Sequence, residues 1–146
     1  MRNNTRNLKI AALLSIIPTM EHEIQIRVRY EETDQMGVVY HGNYFTYFEV
    51  ARTELLRSRG ISYREMEESG TFVVVVKAEC SYRRPAKYDD LITLKSRVKR
   101  ITRVRIEHEH EVYRDNELLA TGLITLAVVN KDGAIQRVPA WMGPPE

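Results

Sequence analysis

Tyr30-Glu31-Glu32-Thr33-Asp34-Gln35-Met36-Gly37-Val38-Val39-Tyr40-His41-Gly42-Asn43-Tyr44 places a carboxylate, a turn, a histidine and a helix start within fifteen residues. Gly37 punctuates the stretch as a turn. Asn43 is the expected N-cap, because its side chain can accept from an orphan backbone N–H one turn on. Beyond it Tyr44, Tyr47, Phe48, Ala51 and Leu55 recur at helical spacing, which predicts a long helix with a wide apolar stripe. Gly60 is expected to end that helix, with Arg57 and Arg59 in its last turn complementing the dipole. Upstream, Ile24, Ile26 and Val28 alternate with Glu23, Gln25, Arg27 and Arg29, the pattern of a half-buried strand.

Downstream, Ser62 to Glu68 reads as a short helix, with Ser62 and Glu65 spaced for a capping box. Phe72 to Val76 is a continuous apolar run of the kind found in strands buried on both faces, and it continues through Cys80 and Tyr82 to Pro85. Leu91 to Ile101, Val104 to Tyr113 and Leu118 to Val129 are three further strands. The breaks between these three are too short for parallel crossovers and favour antiparallel hairpins. Lys131-Asp132-Gly133 turns the chain into a last edge segment ending near Pro139, and residues 140–146 read as a loose end. The sum is an α+β domain, an antiparallel five-to-six-stranded sheet wrapped around one long central helix. Such a sheet has edges, and a dimer is one way to cover one.

A chain of 146 residues with 43% hydrophobic and 29% charged residues fits one globular domain. The lone Cys80 excludes an intrachain disulfide and fits a reducing, cytoplasmic setting. Arg2, Arg6 and Lys9 supply three positive charges to the first twenty residues, so the net charge of +2 leaves the remainder at −1. That near-neutral remainder, without interleaved aromatic platforms, argues against nucleic-acid binding. Residues 1–20 are expected to form an N-terminal extension outside a domain spanning 21–146. Its apolar run, Ile10 to Ile17, is too short to span a bilayer, so no integral membrane segment is expected. Pro18-Thr19-Met20 is not a small-x-small cleavage site, which argues against a secretory signal.

Arg29-Tyr30-Glu31-Glu32-Thr33-Asp34, Gly37-Val38-Val39-Tyr40-His41, Asn43-Tyr44 and Glu49-Val50-Ala51-Arg52 together resemble the hotdog-fold thioesterases of the 4-hydroxybenzoyl-CoA thioesterase family. The nearest branch is the Tol-Pal-associated, YbgC-type acyl-CoA thioesterases, whose pattern is YxDTDxxGxVYHxxYxxxxExAR. Glu32 stands where that pattern has Asp, outside the expected chemistry. A later element, Tyr82, Pro85, Ala86, Asp89 and Asp90, extends the resemblance, which runs from about residue 24 to residue 139. The resemblance implies a hotdog fold, a homodimer or homotetramer with sites at subunit interfaces, and hydrolysis of an acyl-CoA. Coenzyme A is then part of the substrate, and no separate cofactor or metal is implied.

Thioester hydrolysis needs an attacking or water-activating group, an oxyanion clamp and a hold on the leaving group. Asp34 is the candidate for the first, either as nucleophile through an acyl anhydride or as general base on water. The backbone around Tyr40, His41, Gly42 and Asn43, at the positive end of the helix, is the candidate clamp. His41 N–H leads by the resemblance, and the His41 ring is expected to line the site. Lys99, Arg100 and Arg103, at a turn between strands, are the first candidates for the coenzyme A phosphates. Arg83, Arg84 and Lys87 form a second, lesser cluster. Glu49 reads as a structural partner of Arg52. His108 and His110 alternate with Glu107, Glu109 and Glu111 and read as part of a solvated strand face. The competing reading is a non-catalytic hotdog module that binds acyl-CoA, for which Asp34 would serve no purpose.

Overall fold

The computed structural model describes residues 20–142. Within them β1 (Glu21–Arg27) leads through a 3₁₀ turn, Tyr30–Glu32, to the long helix α1 (Asn43–Ser58) and the short helix α2 (Tyr63–Glu68). Strands β2 (Phe72–Tyr82), β3 (Leu91–Ile101), β4 (Arg105–Arg114) and β5 (Glu117–Val129) follow. They form one antiparallel sheet of five strands in the order β1-β3-β4-β5-β2, against which α1 packs. This is the hotdog arrangement. The Ile135 segment, expected as a further edge, forms no strand; it makes an isolated bridge at Val129, and Gln136 N–H and Val138 N–H donate to Val128 O and Arg103 O.

The α1 stripe falls as its spacing predicts: Tyr44, Tyr47, Phe48, Ala51 and Leu55 are all buried. The start of the helix differs from expectation. Gly42 is the N-cap, with no side-chain capping bond, and Asn43 is the first helical residue. The Asn43 amide instead donates to the Glu32 carbonyl at 2.8 Å. It therefore ties the helix start to the preceding loop rather than satisfying its own helix. The α2 capping box forms as read, with Glu65 N–H donating to Ser62 Oγ and Ser62 N–H to Glu65 Oε2.

Phe48 explains one glycine. A Cβ on Gly122 would lie 2.3 Å from the Phe48 ring. The same ring is fully buried and stacked on His110, the cross-strand partner of Gly122, with ring centroids 4.8 Å apart, so its room to shift is restricted. Gly122→Ala is expected to destabilise the fold by about 1–3 kcal/mol, the cost typical of overpacking, read as a lower urea midpoint.

Three expectations need correction. The valine run is not covered on both faces: Val74, Val75 and Val76 are 43%, 51% and 47% exposed, because β2 is a sheet edge. His108 and His110 do not face solvent; they are 5% and 0% exposed. They share parity with Ile106 and Val112, so the alternation that turns the glutamates outward turns the histidines under α1. Residues 140–142 form a 3₁₀ turn rather than a loose end, with Met142 buried beside Trp141. Met20, counted with the N-terminal extension, is also buried in that cluster. The rest of the extension and residues 143–146 lie outside the described residues.

Among the described residues no helix is long and apolar enough to cross a membrane, and no group of three or more His, Cys, Asp or Glu is placed to hold a metal ion.

Candidate active site

Asp34 opens a tight turn. Its carbonyl accepts from Gly37 N–H at 2.9 Å, its own N–H donates to Val38 O at 2.9 Å, and its Oδ1 accepts from Met36 N–H at 2.9 Å. Gly37 holds φ +78°, a conformation that glycine adopts without steric cost. The arms of the turn bridge at Thr33 and Val39, and the second arm pairs with Lys87 and donates from Val39 N–H to Ala86 O. The carboxylate itself is exposed.

The loop is then fastened to α1 through Glu32. Its backbone carbonyl accepts from Tyr40 N–H at 2.9 Å and from the Asn43 amide at 2.8 Å. Its carboxylate is buried, and Oε1 accepts from Arg29 N–H and from the Tyr47 hydroxyl at 3.1 Å. Burial, then the Glu32 charge, push the Tyr47 phenol far above its ordinary range. The residue that departs from the family pattern thus joins the turn to the second turn of the helix, two positions from Asp34.

At the helix start, Tyr40 O accepts from Asn43 N–H at 2.9 Å, and His41 O accepts from the Tyr82 hydroxyl at 2.8 Å. Among the described residues the N–H groups of His41 and Gly42 donate to no protein acceptor. They sit at the positive end of α1, where such groups are left over by helix geometry. The Tyr40 and His41 rings lie 4.3 Å apart, and His41 meets Tyr82 edge-on at 6.4 Å.

Asp34, Val38, His41, Tyr44 and Tyr82 line an open cleft of about 300 Å³, which Arg83 and Arg84 also line. The structure therefore places Asp34 and His41 on the lining of one cleft, while Tyr40, Gly42 and Asn43, at the helix start, are not among its lining residues. It does not bring Lys99, Arg100 and Arg103 to the same cleft within one chain. Those residues lie at the far end of β3, whose ten steps from Leu91 to Ile101 span roughly 33 Å. Glu49 is exposed and does not line the cleft; near Tyr63, whose phenol pKa burial above all pushes up, Arg52 acts to lower that pKa and Glu49 to raise it.

The second motif element braces the cleft wall. Arg114 Nη1 donates to Pro85 O at 3.1 Å and to Asp90 Oδ2 at 2.8 Å. Burial would raise the Asp90 pKa, but Arg114 and Lys87 N–H outweigh it and hold it below the usual carboxylate value. Asp89 adopts φ +68° in the same connection, where its N–H donates to Val28 O. The Tyr82 hydroxyl has no role assigned from sequence, while Arg83 and Arg84, the lesser candidate cluster for the coenzyme A phosphates, are the pair that lines the cleft.

The family model of the thioesterase superfamily matches residues 36–121. A candidate esterase of Aquifex aeolicus is 36% identical over 77% of this chain and 88% of its own length. The acyl-CoA thioesterase YbgC of Haemophilus influenzae is 35% identical over 72% of this chain and 78% of its own. Among solved structures, a probable thioesterase from Bartonella henselae superposes with a TM-score of 0.78 at 34% identity, covering 82% of this chain and 99% of that one. With a match across more than half its length and a hotdog sheet packed against α1, the chain belongs to the thioesterase superfamily.

Proposed function

We propose that this protein is an acyl-CoA thioesterase, close to the YbgC-type branch, which hydrolyses a coenzyme A thioester to the free acid and coenzyme A. The observation that carries this reading is the convergence of Asp34 and the N-terminal end of α1 on one cleft. The substrate carbonyl sits between them, its oxygen toward the unpaired N–H groups of His41 and Gly42. Asp34 either attacks the carbonyl carbon, giving an acyl anhydride that water then opens, or removes a proton from an attacking water. In both routes the C–S bond breaks as the tetrahedral intermediate collapses, and the thiolate leaves as coenzyme A. The Met36 N–H on Asp34 Oδ1 fixes the carboxylate plane without a second side chain.

The phosphates of the leaving group require cations at the cleft. Arg83 and Arg84 meet that need in this chain. A second copy supplies more. If two β2 edges pair antiparallel, the Phe72 end of one lies beside the Tyr82 end of the other. The partner's β3–β4 turn, carrying Lys99, Arg100 and Arg103, then falls at the cleft end of the first copy. The half-exposed valines of β2 favour such a homodimer.

Free-thiol release from a panel of short, long and aromatic acyl-CoAs tests the reading. Turnover of at least one ester is expected; binding of acyl-CoA without turnover of any would establish the non-catalytic module instead. In the same assay, Arg83→Ala combined with Arg84→Ala is expected to raise KM about tenfold or more while kcat stays within about threefold, as for lost charge-assisted contacts to a remote part of the substrate.

A further inference from the structure

We infer that Tyr82 is a positioning residue for the reaction, acting through the carbonyl of His41; the inference rests on the thioesterase reading of this cleft. Tyr82 ends β2, forty-one residues along the chain from His41, yet its hydroxyl donates to His41 O at 2.8 Å. The only other donor that reaches this oxygen among the described residues is Tyr44 N–H, at a long 3.4 Å. A trans peptide is planar, with its C=O and N–H opposed. Holding His41 O therefore aims Gly42 N–H, one of the two groups free to meet an oxyanion.

The other side of this peptide is closed as well. A Cβ on Gly42 would lie 2.8 Å from the Tyr40 ring, so that ring rests against the Gly42 backbone. Tyr82 is itself held, edge-on to Tyr44 at 5.2 Å, and Tyr44 Oη accepts from Ala86 N–H at 3.4 Å. The clamp thus runs from the wall strand to the helix start. A phenol's ordinary pKa of about 10 already keeps the half-exposed Tyr82 hydroxyl a donor at neutral pH, and partial burial, with the neighbouring Cys80 adding to it, moves the pKa further up.

Tyr82→Phe keeps the ring and removes only the donor. Its kcat is expected to fall about 10- to 100-fold, with KM moving less than about threefold, because an oxyanion donor left unaimed acts in the transition state rather than on bound substrate. The urea midpoint reports whether the variant is folded. The Gly42 amide gives a readout independent of activity: its ¹⁵N shift and hydrogen-exchange rate are expected to change in Tyr82→Phe. An unchanged kcat overturns the inference, and so does a raised KM at unchanged kcat, which would make Tyr82 a substrate contact. An unmoved Gly42 amide also overturns it, even if the wild type hydrolyses no coenzyme A ester and the thioesterase reading has failed on its own.

Discussion

Asp34→Asn is expected to fold like the wild type and to lose hydrolysis by a factor of about 10³ or more in kcat, the scale of losing a nucleophile or general base. Asparagine is the informative replacement. Its Oδ1 can still accept from Met36 N–H, so the Asp34–Gly37 turn survives. Asp34 is exposed, and surface changes of this kind usually shift stability by no more than about 0.5 kcal/mol. Asp34→Ala removes both the chemistry and the turn contact, and the difference between the two variants separates them. The measurement is kcat on the best acyl-CoA of the panel, beside urea unfolding. A variant within threefold of wild type would remove Asp34 from the chemistry and leave it an ordinary turn carboxylate.

Acidification from pH 7.5 to pH 5 is expected to cost the fold about 2 kcal/mol for each of His108 and His110. Burial, above all, holds both imidazoles neutral, with pKa values lowered from 6.5 to about 3. The Arg52 guanidinium repels a proton from either ring, and His108 repels one from His110. His110 Nδ1 pairs with Ser96 Oγ at 2.7 Å, while His110 Nε2 and His108 Nδ1 are buried without a partner. The folded state therefore refuses protons that the unfolded chain accepts between about pH 6.5 and pH 3. Stability is complete above that window and is lost as the pH falls through it. Asp90 works in the same direction only lower, below its ordinary 3.8. Urea unfolding at the two pH values measures the loss, and His108→Leu should remove roughly half of it. Equal unfolding free energies at pH 7.5 and pH 5 would contradict the burial of the pair.

The fold was legible wherever local pattern and tertiary position agree. The α1 stripe, the α2 capping box and the alternation of β1 each need only their own residues. Composition misled where position in the sheet decides. Val74 to Val76 have the sequence of a central strand and lie on an edge, since nothing in the run says which strand is its neighbour. The histidines read as solvated from their alternation with Glu107, Glu109 and Glu111, although the parity of Ile106 and Val112 already marked their face as the opposite one. At the site, Asp34, Gly37 and the helix start could be read because they are close in sequence. The role of the Tyr82 hydroxyl, and the precedence of Arg83 and Arg84 over Lys99, Arg100 and Arg103 at the cleft, could not be read, because only the pairing of β2 with β5 and the Arg83 and Arg84 N–H bonds to Leu119 O carry them there.

The two borders of the sheet differ, and the difference bears on the homodimer proposed above. On β1, Glu21, Glu23 and Arg27 are exposed and fringe the border with charge. On β2 the exposed run begins with Val74, Val75 and Val76, and its two charges, Lys77 and Glu79, pair with each other. Joining like border to like border uses up the sticky side of both copies in one symmetric step. In the homodimer proposed above, the product would be a ten-strand ribbon with a charged border at each end. A chain sticky on both borders would stack without limit; adhesion confined to one would hold edge-to-edge growth of the proposed assembly at two.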